Sequence, residues 1–121
     1  MNTQMNEITV NGIEYVQKDS LTKAESLEGM PYKIVRTYSA GVFAGYVESR
    51  NGREVKIKNA RRLWYWDGAA SLSQLAKEGV KKPENCKFPC EVDITVLEAI
   101  EILDCTEEAR QSIKNVPVWK C

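Results

Sequence analysis

Residues 42–58 read VFAGYVESRNGREVKIK, and this stretch contains two strand signals around one turn. After the turn, Val55 and Ile57 alternate with lysines, a pattern that predicts a strand with one face toward a core and the other toward water. Asn51-Gly52 readily adopts the positive φ angles of a tight turn between strands. The stretch therefore predicts an antiparallel hairpin.

The sequence on either side of this hairpin extends the predicted sheet. Residues 32–38 are rich in apolar and β-branched side chains and predict a strand, which the break at residues 39–41 ends. Residues 61–66 continue in a strand-like pattern after the hairpin. Residues 92–103 predict a further single strand, although Leu, Ala and Glu in that segment leave a helix open.

Two short helices are predicted from their capping residues. Ser71 can cap a helix that ends near Gly79, and Thr106 precedes two glutamates in a helix that runs to about Lys114. Residues 81–90 hold two prolines and predict a loop. The predicted fold class is α+β, with an antiparallel sheet meander partly covered by two short helices.

The N-terminal quarter of the chain differs in composition from the rest. Residues 8–16 predict a small hairpin around Asn11-Gly12, and residues 17–30 are polar with a weak helical tendency. We therefore expect residues 1–31 to form a hairpin and linker and residues 32–121 to form the main domain. A chain of 121 residues suits one such domain.

Composition and charge exclude several classes of function. The 17 basic residues balance 17 acidic ones, so the basic excess typical of duplex nucleic-acid binders is absent. No apolar run reaches the roughly 20 residues of a membrane span, and residues 1–7 are polar, so we expect a cytoplasmic protein that does not bind membranes. No cofactor is expected.

The four cysteines are expected to be reduced thiols. They are Cys86, Cys90, Cys105 and Cys121. A four-thiolate zinc site is formally possible, but no second closely spaced pair accompanies the first two. Isolated cysteines more often serve as small core residues, so no metal site is predicted.

The sequence contains no pattern that indicates catalysis. Histidine is absent, which removes the usual general base of hydrolytic triads. Glu98 and Glu101 point to opposite faces of a strand or lie on a solvated helix edge. Gly41 and Gly45 do not form a phosphate-binding fingerprint and indicate a tight turn and a close packing contact. We expect a protein that is not an enzyme.

A mixture of arginines, aromatic residues and hydroxyls is the best candidate binding site. Guanidinium groups clamp phosphates, aromatic rings stack on bases, and a helix start offers free N–H groups. The candidate ligand-binding residues are Arg36, Thr37, Tyr38, Ser39, Arg61, Arg62, Trp64, Trp66, Ser71 and Ser73. Alternation places Arg62 with the two tryptophans and Arg61 on the opposite face, so only one arginine should matter strongly. In the alternative interpretation the tryptophans are core or interface anchors and the arginines are solvated; a site elsewhere would fall at Lys87-Phe88 and Arg110.

Three runs carry a resemblance to a known family: RTYSAGVFAG at 36–45, NARRLWYWDGAASLSQLA at 59–76 and PVWK at 117–120. In these runs, within residues 32–120, the chain resembles the phage-encoded Thoeris anti-defence sponges of the first type. The resemblance implies a protein that binds the cyclic ADP-ribose isomer made by bacterial TIR enzymes, without cleaving it, in the host cytoplasm. It further implies a homo-oligomer, from dimer to hexamer, and in some members binding of CBASS cyclic oligonucleotides.

Two further expectations concern partners. Three Trp, five Tyr and two Phe are more aromatic surface than one small core readily buries, which predicts a homo-oligomer of even order. The alternative function is that of a phage accessory protein that inhibits a host protein by direct binding.

Overall fold

The structure, a computed structural model, describes residues 22–121 and confirms an α+β fold with one antiparallel sheet and two helices. The predicted hairpin at residues 8–16 lies outside the described residues. The strands are β1 (Tyr32–Thr37), β2 (Val42–Asn51), β3 (Glu54–Arg62), β4 (Val92–Val96) and β5 (Ala99–Asp104); the helices are α1 (Leu72–Glu78) and α2 (Glu107–Asn115), with a 3-10 turn at Pro83–Asn85.

The sheet is curled rather than flat, as its strand order requires. The order is β4-β3-β2-β1-β5, so β4 and β5 lie at opposite ends. In a flat sheet these ends would be roughly 19 Å apart, because neighbouring strands are about 4.8 Å apart. Val96 and Ala99 are three residues apart, and that length of chain reaches only about 10 Å. The sheet therefore curves until its two edges meet at Leu97 and Glu98.

Hydrogen bonds attach this connection between β4 and β5 to other parts of the sheet. The Tyr38 amide donates to the Glu98 carbonyl at 2.9 Å, and the Ala99 amide donates to the Arg53 carbonyl at 3.0 Å. The single strand predicted at residues 92–103 is thus two strands, since the chain changes partner from β3 to β1. The inward-facing residues are Ile94, Val96, Ala99 and Ile102, so the alternation breaks at the change. Apolar and β-branched residues continue through it, which is why the composition conceals the break.

Both faces of the curled sheet are buried along much of β1 and the first half of β2. Neighbouring residues in one strand, such as Ile34 and Val35, are both fully buried and belong to different core clusters. The inner cluster contains strand residues only, including Phe43, Val55 and Ile57, so the curled sheet encloses it. The outer cluster joins the other face to the helices, and Val55 and Ile57 face a core as predicted.

The helices begin at the predicted caps. The Ser71 hydroxyl accepts a hydrogen bond from the Gln74 amide, and the Thr106 hydroxyl accepts one from the Ala109 amide. Helix α1 ends at Gly79, whose φ of 75° suits glycine. No helix between residues 22 and 121 has the length and hydropathy that a membrane span requires.

Two segments differ from the sequence interpretation. Strand β3 ends at Arg62, so residues 63–66 are not a regular extension of it, and only Tyr65 forms an isolated bridge. The described part of the predicted linker contacts the domain: the Ala24 amide donates to the Cys105 carbonyl at 3.0 Å, and the Glu107 amide donates to the Thr22 carbonyl at 2.9 Å. These bonds attach residues 22–25 to the start of α2.

Candidate functional site

The predicted residues at the end of β1 serve mainly to shape a turn. The Thr37 side chain is buried, donates to the Gly41 carbonyl at 2.7 Å and accepts from the Ala40 amide at 2.9 Å. Arg36 forms an ion pair with Glu101 at 2.8 Å, while the Tyr38 ring is 77% exposed. These contacts engage Arg36 and Thr37 within the protein and leave the Tyr38 ring exposed.

A groove of about 540 Å³ lies beside this turn. Thr37, Ser39 and Ala40 line one wall, and residues 94–98 line the other. The Ser39 hydroxyl donates to the Glu98 carboxylate at 3.2 Å, which places a negative charge in the groove. A phosphate is therefore disfavoured there by like-charge repulsion.

Arg61 is a buried structural side chain. It is 3% exposed, and its guanidinium donates to three backbone carbonyls: Ile113 at 2.8 Å, Phe88 at 3.2 Å and Pro89 at 3.2 Å. Burial lowers the pKa of Arg61 from its ordinary value, and the charge of Glu91 opposes that shift. With its donors used inside the protein, Arg61 does not face a ligand.

Of Arg61 and Arg62, only Arg62 reaches the surface. Its guanidinium lies 4.5 Å from the centroid of the Phe43 ring and donates a hydrogen bond to the Ala40 carbonyl. Within residues 22–121 it forms no ion pair. Arg62 therefore keeps an uncompensated positive charge beside the groove.

The predicted tryptophans and serines are dispersed. Trp64 is 65% exposed, whereas Trp66 is partly buried and packs against the outer core cluster. Ser71 caps α1, and the Ala70 amide donates a hydrogen bond to the Gln74 side-chain oxygen at 2.8 Å. Ser73 is exposed on α1. This seven-residue helix offers no site for an anion at its start.

The most distinctive surface combines two aromatic rings with two lysines: Tyr65, Lys87, Trp119 and Lys120, called here the aromatic–lysine surface. The Lys87 ammonium lies 6.0 Å from the Tyr65 ring centroid and 5.5 Å from that of Trp119, and the Lys120 ammonium lies 4.6 Å from the Trp119 ring. Tyr65 is 51% exposed and Trp119 40%. Trp64, next to Tyr65 in the chain, adds further exposed aromatic area.

Backbone pairing brings these distant residues together. Tyr65 bridges Lys87, with the Lys87 amide donating to the Tyr65 carbonyl at 2.8 Å, and Phe88 bridges Val118. Phe88 is fully buried, and Arg61 holds its carbonyl. The loop that carries Lys87 is thus anchored to the core while its lysine remains exposed.

The electrostatics of this surface favour an anion. None of the ion pairs among residues 22–121 involves Lys87 or Lys120, while lysines such as Lys33 and Lys114 are paired with carboxylates. Two ammonium groups with no ion-pair partner among the described residues attract phosphates, and the half-exposed rings offer aromatic surface to a flat base.

The cysteines do not gather around a common point. Among residues 22–121, no three side chains of the metal-ligating types lie close enough to hold an ion. Burial raises the pKa of the Cys86 thiol and raises that of Cys105 to about 12, so both are protonated residues of the core.

Sequence reasoning found only part of the aromatic–lysine surface. Of its four residues, the sequence analysis names only Lys87, in the alternative location of the site, and Tyr65 lies between the predicted Trp64 and Trp66. Trp119 and Lys120 are absent from the predicted site, although both lie in the run at 117–120 that carries the resemblance. The signal that could have located them is that this run keeps an aromatic and a lysine together beyond the last helix.

The fold and this surface define a small α+β domain with an exposed aromatic and cationic face. The chain belongs to the family described as a domain of unknown function (DUF6948), which matches residues 30–113. No curated protein and no solved structure matches the chain.

Proposed function

We propose that this protein binds and sequesters a cyclic adenine nucleotide, without cleaving it, at the aromatic–lysine surface. The observation that supports this most is the position of Lys87, whose ammonium lies near both the Tyr65 and Trp119 rings while no described carboxylate pairs with it. A base stacked on either ring would bring its phosphates close to Lys87 and Lys120.

The contacts of the aromatic–lysine surface set the range of the expected binding energy. Stacking of a base on an aromatic side chain contributes about 1–3 kcal/mol. Hydrogen bonds between a charged donor and phosphate contribute about 1.5–3 kcal/mol each. Two lysines and one stacked ring together contribute about 4–9 kcal/mol, which corresponds to dissociation constants from about 1 mM to about 1 μM or slightly below, and the affinity falls with added salt.

The identity of the ligand is proposed from the resemblance of the three sequence runs. It points to the cyclic ADP-ribose isomer of TIR enzymes, and secondarily to CBASS cyclic oligonucleotides, in the cytoplasm of a host bacterium. A homo-oligomer, from dimer to hexamer, would place a second copy over the open surface and enclose the ligand.

The experiment is an incubation of the full chain with the TIR-derived signal, followed by ultrafiltration. We expect a filtrate depleted of nucleotide and recovery of the intact nucleotide after heat denaturation. A converted product in either fraction would identify an enzyme and overturn the proposal. Nucleotide that remains in the filtrate would overturn it too.

Matched variants locate the site. Trp119→Ala and Lys87→Ala should each lower affinity about 5-fold to 150-fold, which corresponds to the loss of about 1–3 kcal/mol. Tyr38→Ala and Lys56→Ala remove an exposed aromatic and an exposed lysine outside this surface and should leave affinity unchanged. Loss of affinity in Tyr38→Ala alone would move the site to the groove beside β4.

A second candidate function is inhibition of a host protein by direct binding. It is favoured by Trp64, whose ring is 65% exposed and lies outside the lysine contacts. Exposed tryptophans often anchor protein interfaces. In the ultrafiltration experiment this function predicts that no nucleotide is retained, so one measurement separates the two.

A further inference from the structure

Cys90 and Cys121 lie in two segments that run side by side. Phe88 pairs with Val118 in a parallel bridge, and the Trp119 amide donates to the Phe88 carbonyl at 3.0 Å. Cys90 follows Phe88 by two residues and Cys121 follows Val118 by three, so chain connectivity keeps both cysteines close to this pairing. Paired segments lie about 4.8 Å apart, within the range of α-carbon separations that disulfides span.

The two thiols also contact each other. The side-chain interaction with Cys121 is the main cause that raises the pKa of the Cys90 thiol, and the positive charge of Arg61 opposes the shift. Cys121 is exposed and Cys90 partly so, whereas Cys86 and Cys105 are buried. The chain therefore contains one accessible pair of thiols and two buried thiols.

We infer that Cys90 and Cys121 form a modification site, a dithiol that a small disulfide such as oxidised glutathione converts to an intramolecular disulfide. The exposed Cys121 thiolate attacks one sulfur of the small disulfide, whose S–S bond breaks and releases one thiolate. Cys90 then loses its proton and attacks the Cys121 sulfur, and the second small thiolate leaves. The two protein thiols lose two electrons in total, and one small disulfide becomes two thiols that take up the two protons.

The cross-link ties the segment that carries Trp119 to the loop that carries Lys87. It restricts the separation of these two segments whether or not a nucleotide binds there. The inference is therefore independent of the proposed function and has its own test.

The test exposes the folded full chain to glutathione buffers of increasing oxidised fraction and measures intact mass after acid quenching. We expect the wild type to lose the mass of two hydrogens with no glutathione retained, and to lose two maleimide-reactive thiols. In Cys90→Ser, glutathione should remain attached to Cys121. The wild-type disulfide should form at an oxidised-to-reduced glutathione ratio about ten-fold lower than the ratio at which the adduct forms in Cys90→Ser, because the second thiol is held near the first.

Three results would overturn the inference. Retention of glutathione on the wild type would show that Cys90 does not reach Cys121. A disulfide-linked dimer on a non-reducing gel would show that Cys121 reacts between copies. Loss of two hydrogens that persists in Cys121→Ser would place the cross-link elsewhere. Unchanged circular dichroism of both serine variants verifies that each result refers to the folded protein.

Discussion

Arg61 and Arg62 are adjacent in sequence yet should respond in opposite ways to substitution. Arg61→Ala removes three hydrogen bonds to the carbonyls of Phe88, Pro89 and Ile113 and leaves these acceptors without their charged donor. Arg62→Ala removes one such bond and the contact with the Phe43 ring. The first change should therefore affect folding and the second should affect folding much less.

The expected magnitudes follow from the contacts. Bonds from a charged donor contribute about 1.5–3 kcal/mol each, but removal of a buried charge recovers part of its desolvation cost. We expect Arg61→Ala to lower the free energy of unfolding by about 3–5 kcal/mol, and Arg62→Ala by about 1–2 kcal/mol. A domain of this size is stable by about 5–15 kcal/mol, so the first loss is severe.

Urea unfolding followed by tryptophan fluorescence measures both effects. With a urea slope of about 1–3 kcal/mol per molar, Arg61→Ala should unfold at a urea concentration lower by about 2 M. Arg61→Lys should recover little, because one ammonium cannot reach three carbonyls on separate segments. A loss below about 1 kcal/mol in Arg61→Ala, or full recovery in Arg61→Lys, would refute the structural role.

Three other predictions test the fold. Arg110 donates hydrogen bonds to Glu107 and lowers the pKa of that carboxyl from 4.5 to about 2. Glu107 therefore contributes stability above pH 4.5 that is lost as the pH falls toward 2. With solvent screening taken into account, Glu107→Gln should lower the free energy of unfolding by about 1–2 kcal/mol at pH 7, as measured by urea unfolding. The difference between variant and wild type should shrink between pH 4.5 and pH 2. A chain without residues 1–28 should be less stable than one without residues 1–21 by about 2–4 kcal/mol, because it lacks the hydrogen bonds of residues 22–25. Calorimetry should show a lower melting temperature for the shorter chain, and equal melting temperatures would contradict the contact of residues 22–25 with α2. Gly45→Ala should lower the free energy of unfolding by about 1–3 kcal/mol, since its methyl group would lie 2.6 Å from the Ile57 side chain. An unchanged midpoint of thermal unfolding would show that β3 shifts without cost to accept the methyl group.

Local signals predicted much of the fold. The hydroxyls of Ser71 and Thr106 cap helices because each residue carries its acceptor next to the free amides it satisfies. The alternation of Val55 and Ile57 was correct because one strand face is buried whatever its partner. Such features depend on a few neighbouring residues, so they are visible in one sequence.

The features that were missed depend on contacts between distant segments. Nothing near Leu97 in sequence indicates that the strand changes partner there, because the closure depends on the curvature of the whole sheet. The burial of Arg61 depends on carbonyls more than 25 residues away. Lys87 and Trp119 meet only through the pairing of Phe88 with Val118.

The buried arginine connects these missed features. Arg61 leaves the end of β3 and holds the carbonyls of Phe88 and Pro89, which follow Lys87 directly. It also binds the carbonyl of Ile113 near the end of α2, where a cation interacts favourably with the helix dipole. One guanidinium thus joins the sheet, the last helix and the loop beneath the aromatic–lysine surface. The sequence analysis predicts that Arg61 binds a ligand. Its contacts instead hold the loop that carries Lys87 in place. If the aromatic–lysine surface binds the proposed nucleotide, a folded variant at this position should alter the affinity through displacement of the loop, without any contact between Arg61 and the ligand.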